Sequence, residues 1–197
     1  MSESYFKLEW VDRHFPYVIF DIGSYNGMDA LRFKEKYPNA RVIAMEADKE
    51  NYQKMIEDKR LKDIEVYYFA ICDENGETPF YHNTGKFRGS GSIHKPTKNC
   101  FKVKGMEFGR PIKVPSTRLD TFCEKHGIKE IDIIHSDLQG AEYESLIGLG
   151  KLRPRMIFLE TSALTLYENA KSPESKLIEM GYKRIIKGKG DDLWIKC

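Results

Sequence analysis

Five apolar runs along this chain each close on an acid, and a polar stretch of helical spacing follows most of them. The runs are Tyr17 to Asp21, Arg41 to Glu46, Glu65 to Ile71 with Asp73 just beyond, Ile131 to Asp137, and Arg155 to Glu160. Runs of this length, rich in β-branched and aromatic residues, read as buried strands. Between them, Met28 to Tyr37 places Ala30, Phe33 and Tyr37 at helical spacing and stops at Pro38, which cannot continue a helix. Lys49 to Glu57 reads as a second helix. A third ends at His126 before Gly127, a fourth opens after Asp137, and a fifth starts at Ser172-Pro173 and ends at Gly181. Tyr182 to Lys187 and Asp191 to Cys197, joined by Gly188-Lys189-Gly190, form a closing antiparallel hairpin.

Strands alternating with helices predict an open α/β fold. It is Rossmann-like, with a seven-stranded, mostly parallel sheet, helices on both faces and the hairpin at one edge. A ligand of such a sheet sits beyond the carboxyl ends of the strands. Asp21, Glu46, Asp73, Asp137 and Glu160 all fall there, and packing alone does not call for charge at those positions.

The first strand runs into Gly23-Ser24-Tyr25-Asn26-Gly27 and then a helix, the opening of a nucleotide-binding unit. A dinucleotide fold asks for G-x-G-x-x-G, and the middle glycine is missing here. Asp21 would repel a pyrophosphate and attract an amino or sulfonium group. Gly23 and Gly27 leave room for a ligand to lie against the main chain. Glu46, nineteen positions after Gly27, stands near the spacing at which a carboxylate accepts from ribose hydroxyls, the alternative being a surface glutamate at the start of a loop. Asp73 is placed either to reach an adenine amino group or simply to turn the chain. His135 and Asp137 share a strand face, and His135 reads either as a reacting group or as a core histidine.

At 197 residues the chain is the size of one domain. Residues 1–16 are expected to be an arm whose Tyr5, Phe6, Leu8, Trp10 and Phe15 pack on the core. No run reaches the ~20 apolar residues of a membrane span and no signal sequence opens the chain, so the expected compartment is the cytoplasm. Cys72, Cys100, Cys123 and Cys197 lack metal-site or disulfide-framework spacing, and no metal is expected.

The net charge of +2 conceals a division. Residues 82–113 hold eight bases and one acid, Glu107, so this stretch is +7 and the rest −5. With Gly85, Gly89, Gly91, Gly105 and Gly109 it reads as a mobile loop insert after the third strand. Its charge points to an anionic acceptor, with Arg88 as a contact. Phe87, Phe101 and Phe108 among the bases raise a nucleic-acid partner, which the sequence pI near 8.2 disfavours.

With these residues in place, the chain resembles the S-adenosylmethionine-dependent methyltransferases of the FkbM type from Val18 to about Lys187. Thr117-Arg118-Leu119-Asp120-Thr121, followed by Ile131 to Glu142, is similar to that family's "LD...iD.lKiDvEGaE" signature. Ala70-Ile71-Cys72-Asp73, Gly76-Glu77 and Ser90-Gly91-Ser92-Ile93 match more loosely. His135 stands where the family shows Lys, and Gln139 where it shows Glu. The resemblance implies an S-adenosylmethionine pocket built from Asp21, Gly23, Gly27, Glu46 and Asp73, with Ser24, Ala47 and Ile71 beside them. It also implies O-methylation of a hydroxyl on a sugar or other small acceptor. Asp137 is then the expected base, with His135 its competitor, and Glu142, Glu160 and Arg88 are expected to bind the acceptor. A nicotinamide-dependent oxidoreductase on a similar fold and a non-catalytic nucleoside-binding protein are the rival readings.

Overall fold

The computed structural model describes residues 12–188 and 191–197. Most of the expected arm, including Tyr5, Phe6, Leu8 and Trp10, lies outside the described residues, as do Lys189 and Gly190. Phe15 does lie within them, packed on the Tyr17 ring at 4.7 Å with the Arg155 guanidinium 5.6 Å above its own ring.

Four parallel strands pair around the centre: β1 (Val18–Ile22) between β2 (Arg41–Glu46) and β7 (Ile133–Ser136), with β8 (Met156–Glu160) beyond β7. β3 (Glu65–Tyr68) extends one side in parallel. On the other side β10 (Asp191–Lys196) runs antiparallel between β8 and β9 (Tyr182–Lys187), giving the order β3-β2-β1-β7-β8-β10-β9. These strands read as nearly unbroken apolar runs because both faces of the sheet are covered. Alternate residues go to opposite sides: Phe20, Ile22, Ile43 and Met45 join one core, while Ile19, Val42 and Ala44 join the other.

The second core is closed by α1 (Met28–Lys36) through Ala30 and Phe33, and by α2 (Lys49–Glu57) through Met55. α1 has Asp29 in its first turn and Lys34 and Lys36 in its last, an order that suits the helix dipole. α2 starts where the Asp48 side chain accepts from the amides of Glu50 and Asn51, at 2.9 and 3.2 Å. On the opposite face, α3 (Leu119–Lys125), α4 (Glu142–Gly148) and α5 (Glu174–Glu179) contribute Leu119, Phe122, Leu146 and Leu177.

The third strand does not run from Glu65 to Ile71 as one piece. The Phe69 amide makes the last tie to the edge of β2, on the Glu46 carbonyl at 3.1 Å, and the chain then leaves the sheet. Ala70–Ile71 (β4) pairs instead with Ser116 and Thr117 of β6 (Ile112–Thr117), which also pairs antiparallel with β5 (Gly76–Phe80). This small second sheet carries residues 82–111.

That insert is packed, in contrast to the loop its glycines suggest. Tyr81 and Ser92 exchange backbone hydrogen bonds at 2.8 and 3.1 Å, and Cys100 is fully buried with Ala163 and Tyr167. The Tyr167 hydroxyl donates to the Ser90 carbonyl at 2.5 Å, so the insert is fastened to the segment after β8.

Candidate functional site

The turn after β1 is shaped by two close approaches. Gly23 has φ +78°, and a Cβ there would lie 1.9 Å from the Asp137 carbonyl oxygen, so the turn and the end of β7 meet backbone against backbone. Gly27 has φ +74°, and its missing Cβ makes room for Leu61, 2.4 Å away, rather than for a ligand. The amides of Gly23 and Ser24 both donate to the Met45 carbonyl, at 2.9 and 3.1 Å, and Gly27 donates to the Ser24 carbonyl. The Tyr25 amide donates to Glu46 Oε2 at 2.7 Å, and Met28 to Asn26 Oδ1 at 3.2 Å. A pyrophosphate needs free amides at such a turn, and these are spent inside the chain.

The acids at the strand ends divide by environment. Asp21 is fully buried, outside the linings of the two clefts that open here; it accepts from the Ser24 hydroxyl and contacts His135 Nδ1 at 2.6 Å. Parallel pairing sets Asp21 directly beside His135, which explains the contact. Burial lowers the His135 pKa, but the Asp21 hydrogen bond and charge outweigh it, and the net shift is upward. Asp21 therefore holds the turn and the imidazole in place.

Glu46 is 6% exposed, with Oε1 on the Asp48 amide at 2.6 Å and Oε2 on the Tyr25 amide. Burial pushes its carboxyl up to about 7, against the pull of those two amides. Each oxygen keeps a second lone pair. Asp73 stands apart from the clefts, with its carbonyl bound by Arg118 Nη1 at 2.9 Å.

Asp137 and Glu160 form a half-buried carboxylate pair bridged by one amide. Gln139 Nε2 donates to Asp137 Oδ1 at 2.7 Å and also to Glu160 Oε2, while Ser162 donates its hydroxyl to Glu160 Oε1. Burial first, and then the neighbouring Glu160, hold the Asp137 pKa well above the usual carboxylate range. Gln139 reaches both acids from a left-handed backbone, φ +52°. A glutamate there would set a third negative charge between two.

Glu142 is 1% exposed and lines neither cleft. Its oxygens accept from the amides of Leu138, at 2.8 Å, and Gly140, at 3.0 Å, which clamps the turn that carries Gln139. Burial pushes its carboxyl up to about 8.

Two clefts open on this arrangement. The first is walled by Glu46, Ala47, Ile71, Ile93, Leu138 and Ala141. The second is walled by Ser24, Tyr25, Asn26, Lys86, His135 and Gln139. Gly23, Arg88, Gly89 and Asp137 border both. The Arg88-Gly89 segment divides them, held by Asn51 Nδ2 on the Arg88 carbonyl at 3.2 Å and by Gly89 packed on the Tyr25 ring. The Arg88 guanidinium faces Glu50 at 3.4 Å.

Sequence reasoning missed Tyr25, Asn26 and Lys86 as wall residues, since nothing in their spacing marks them. The Ser90-Gly91-Ser92-Ile93 match was the signal for the far wall of the first cleft. Gly91 is required there because a Cβ would lie 2.5 Å from the Phe80 ring.

A parallel sheet whose clefts open at the carboxyl ends of β1, β2 and β7, without an anion-binding turn, defines the Rossmann-like methyltransferase fold. Solved structures agree on that fold. A TehB-like S-adenosylmethionine-dependent methyltransferase from Corynebacterium glutamicum superposes with TM-score 0.53 at 8% identity, covering 99% of this chain and 87% of that one. Aeropyrum pernix fibrillarin, solved with natively bound S-adenosyl-L-methionine, gives 0.50 at 10% identity, over 94% of this chain and 67% of that one.

Within the fold, the methyltransferase FkbM domain model matches residues 21–184, and the chain belongs to that family. S-adenosylmethionine is the methyl donor this family uses. A relative from Sinorhizobium fredii, the 2-O-methyltransferase NoeI, is 34% identical over 77% of this chain, and the match spans 65% of that relative's length.

Proposed function

We propose that this protein transfers a methyl group from S-adenosylmethionine to a hydroxyl oxygen of a sugar or other small acceptor, one that carries negative charge. The observation that supports this most directly is the position of Asp137 on the border of both clefts, where a donor in the first and an acceptor in the second would meet. Named as a 2-O-methyltransferase, the Sinorhizobium relative favours oxygen as the atom modified.

S-adenosylmethionine supplies a methyl carbon bound to a positively charged sulfur. In the first cleft, Glu46 would accept from the two ribose hydroxyls with its remaining lone pairs, over the backbone of Gly23. Ala47 and Ile71 offer apolar walls for the base. In the second cleft, Asp137 takes the hydroxyl proton as the acceptor oxygen bonds to the methyl carbon. The carbon–sulfur bond breaks and its electron pair returns to sulfur. A base with a raised pKa is suited to that task once ionised. Gln139 and Glu160 orient Asp137, His135 stands beside the acceptor as a polar wall, and Arg88 draws an anionic group toward the shared border. Glu142 acts through the turn it clamps rather than by touching the acceptor.

Asp137→Asn is expected to lower turnover by about 10²- to 10⁴-fold, with S-adenosylmethionine affinity within a few fold of the parent. In the parent, turnover should climb as pH rises above the usual carboxylate range, because the raised carboxyl of Asp137 must lose its proton to act. Calorimetric titration with S-adenosylmethionine and with NAD, followed by a screen of neutral and acidic sugars, tests the whole reading. NAD binding without S-adenosylmethionine binding would sink it, and full turnover in Asp137→Asn would remove Asp137 as the base.

A further inference from the structure

The insert exposes more apolar surface than its charge alone explains. Phe87, Phe101 and Val103 are 47%, 57% and 37% exposed, and Lys86, Lys102 and Lys104 stand exposed among them. The six are gathered into one patch by the backbone. The Lys86 amide donates to the Gly105 carbonyl at 2.8 Å, and Gly105 lies against the Phe87 ring and the Lys86 side chain. Tight turns fold the rest: Lys102 onto Asn99, Val103 onto Cys100 and Met106 onto Val103, at 3.0 to 3.2 Å. Beneath them the buried Cys100 and the Phe108 and Tyr167 rings make a fixed mount, with Phe101 edge-on to Phe108 at 5.9 Å.

No acid occurs in the sequence between Glu77 and Glu107. Among the described residues, none of these three lysines pairs with a carboxylate; Lys102 reaches only the Asn99 side chain, at 3.3 Å. Exposed rings and a valine ringed by unpaired lysines match the boundary between lipid headgroups and acyl chains. Apolar groups enter it there, and flexible ammonium groups stay among the phosphates.

We propose that this patch docks the protein on the surface of a bilayer containing anionic lipid. Two other occupants fit less well. A second copy would bring one cationic patch against another. Single-stranded nucleic acid is gripped by stacking on aromatic rings along a groove, a use that Val103 does not serve and that Phe101 and Val103, which line neither cleft, do not offer.

Lys86 and Phe87 belong to both the patch and the second cleft, so docking would hold the mouth of that cleft against the headgroups. Lipid docking is independent of the methyl-transfer reading. Only its corollary, that the acceptor is the polar head of a membrane-held molecule, rests on that reading.

The test is sedimentation of the purified chain with vesicles of phosphatidylcholine alone and of phosphatidylcholine mixed with phosphatidylglycerol. A cooperative thermal melt serves as the check on folding, and calorimetric S-adenosylmethionine binding as the separate check on the first cleft. The expected result is binding to the anionic vesicles that weakens with salt. Lys102→Ser/Lys104→Ser should lower that affinity by about 25-fold, and Phe101→Ser/Val103→Ser by about tenfold. Both should leave S-adenosylmethionine binding unchanged. Absence of vesicle binding, or equal binding to both compositions, overturns the proposal. So does a Phe101→Ser/Val103→Ser variant that binds like the parent while polyuridylate competes fully, since the patch would then be an electrostatic surface for nucleic acid. Vesicle binding without S-adenosylmethionine binding would leave docking standing and remove methyl transfer.

Discussion

A methyl group added at Gly23 would have to occupy the space of the Asp137 carbonyl, on a backbone with φ +78°. Gly23→Ala is therefore expected to cost about 3 kcal/mol or more. Urea unfolding measures it, and a midpoint unchanged from the parent would show that the contact yields cheaply. The sequence announces a glycine turn here but not what lies opposite each glycine. One meets the main chain just past β7 and the other meets Leu61, neither of them near in sequence. The same holds for Asp21. An acid at a strand tip reads as a ligand for a cation, yet its partner is decided by which residue of β7 falls alongside, and that residue is His135. The amides that hold Glu46 were equally unannounced: the turn after β1 and the start of α2 each aim one at it, whereas the sequence marked only a carboxylate at the end of β2.

Among the elements, the insert was the least legible. Its limits and charge are plain in the sequence, but its packing partners, Leu166 and Tyr167, lie beyond three further strands and two helices. Asn83 shows how it is held. This fully buried residue accepts with Oδ1 from the amides of Gly85 and Glu107, at 2.9 and 3.0 Å, and so ties the two limbs together. Asn83→Ala leaves both amides without their acceptor, at a cost of about 1 kcal/mol each. Hydrogen exchange should rise across residues 84–107 and stay low in β1, β2 and β7. Uniform acceleration over the whole chain would show instead that the insert and the sheet unfold as one. The divided third strand was hidden for a related reason. Its residues keep strand character throughout, but the partner for Ala70 and Ile71 arrives only with β6.

For the molecule as a whole, the buried acids set how stability follows pH. Glu46 and Glu142 have carboxyls pushed up to about 7 and about 8 by burial, so between pH ~4.5 and those values the folded chain holds protons that the unfolded chain has released. Stability must then fall as pH rises through that window. His135 adds to the trend, since its raised pKa stabilises the fold below its unfolded value and the benefit fades as pH rises through the folded one. Thermal melts should give a lower midpoint near pH ~8 than near pH ~5.5, and Glu142→Gln should flatten the difference. A parent midpoint that rises over the same range would contradict the burial argument. Among the described residues no helix is long and apolar enough to cross a membrane.

The seven-stranded sheet itself was largely legible, because helices separate its parallel strands and each run carries its own apolar signal. What the hairpin signal did not disclose is that β10, last in sequence, lies inside the sheet between β8 and β9. During synthesis the edge of β8 stays bare until these closing residues emerge, and only then can Trp194 and Leu193 seal the two cores. Trimming them would not shorten a border. It would pull out an inner plank and leave two raw edges for other chains to pair with.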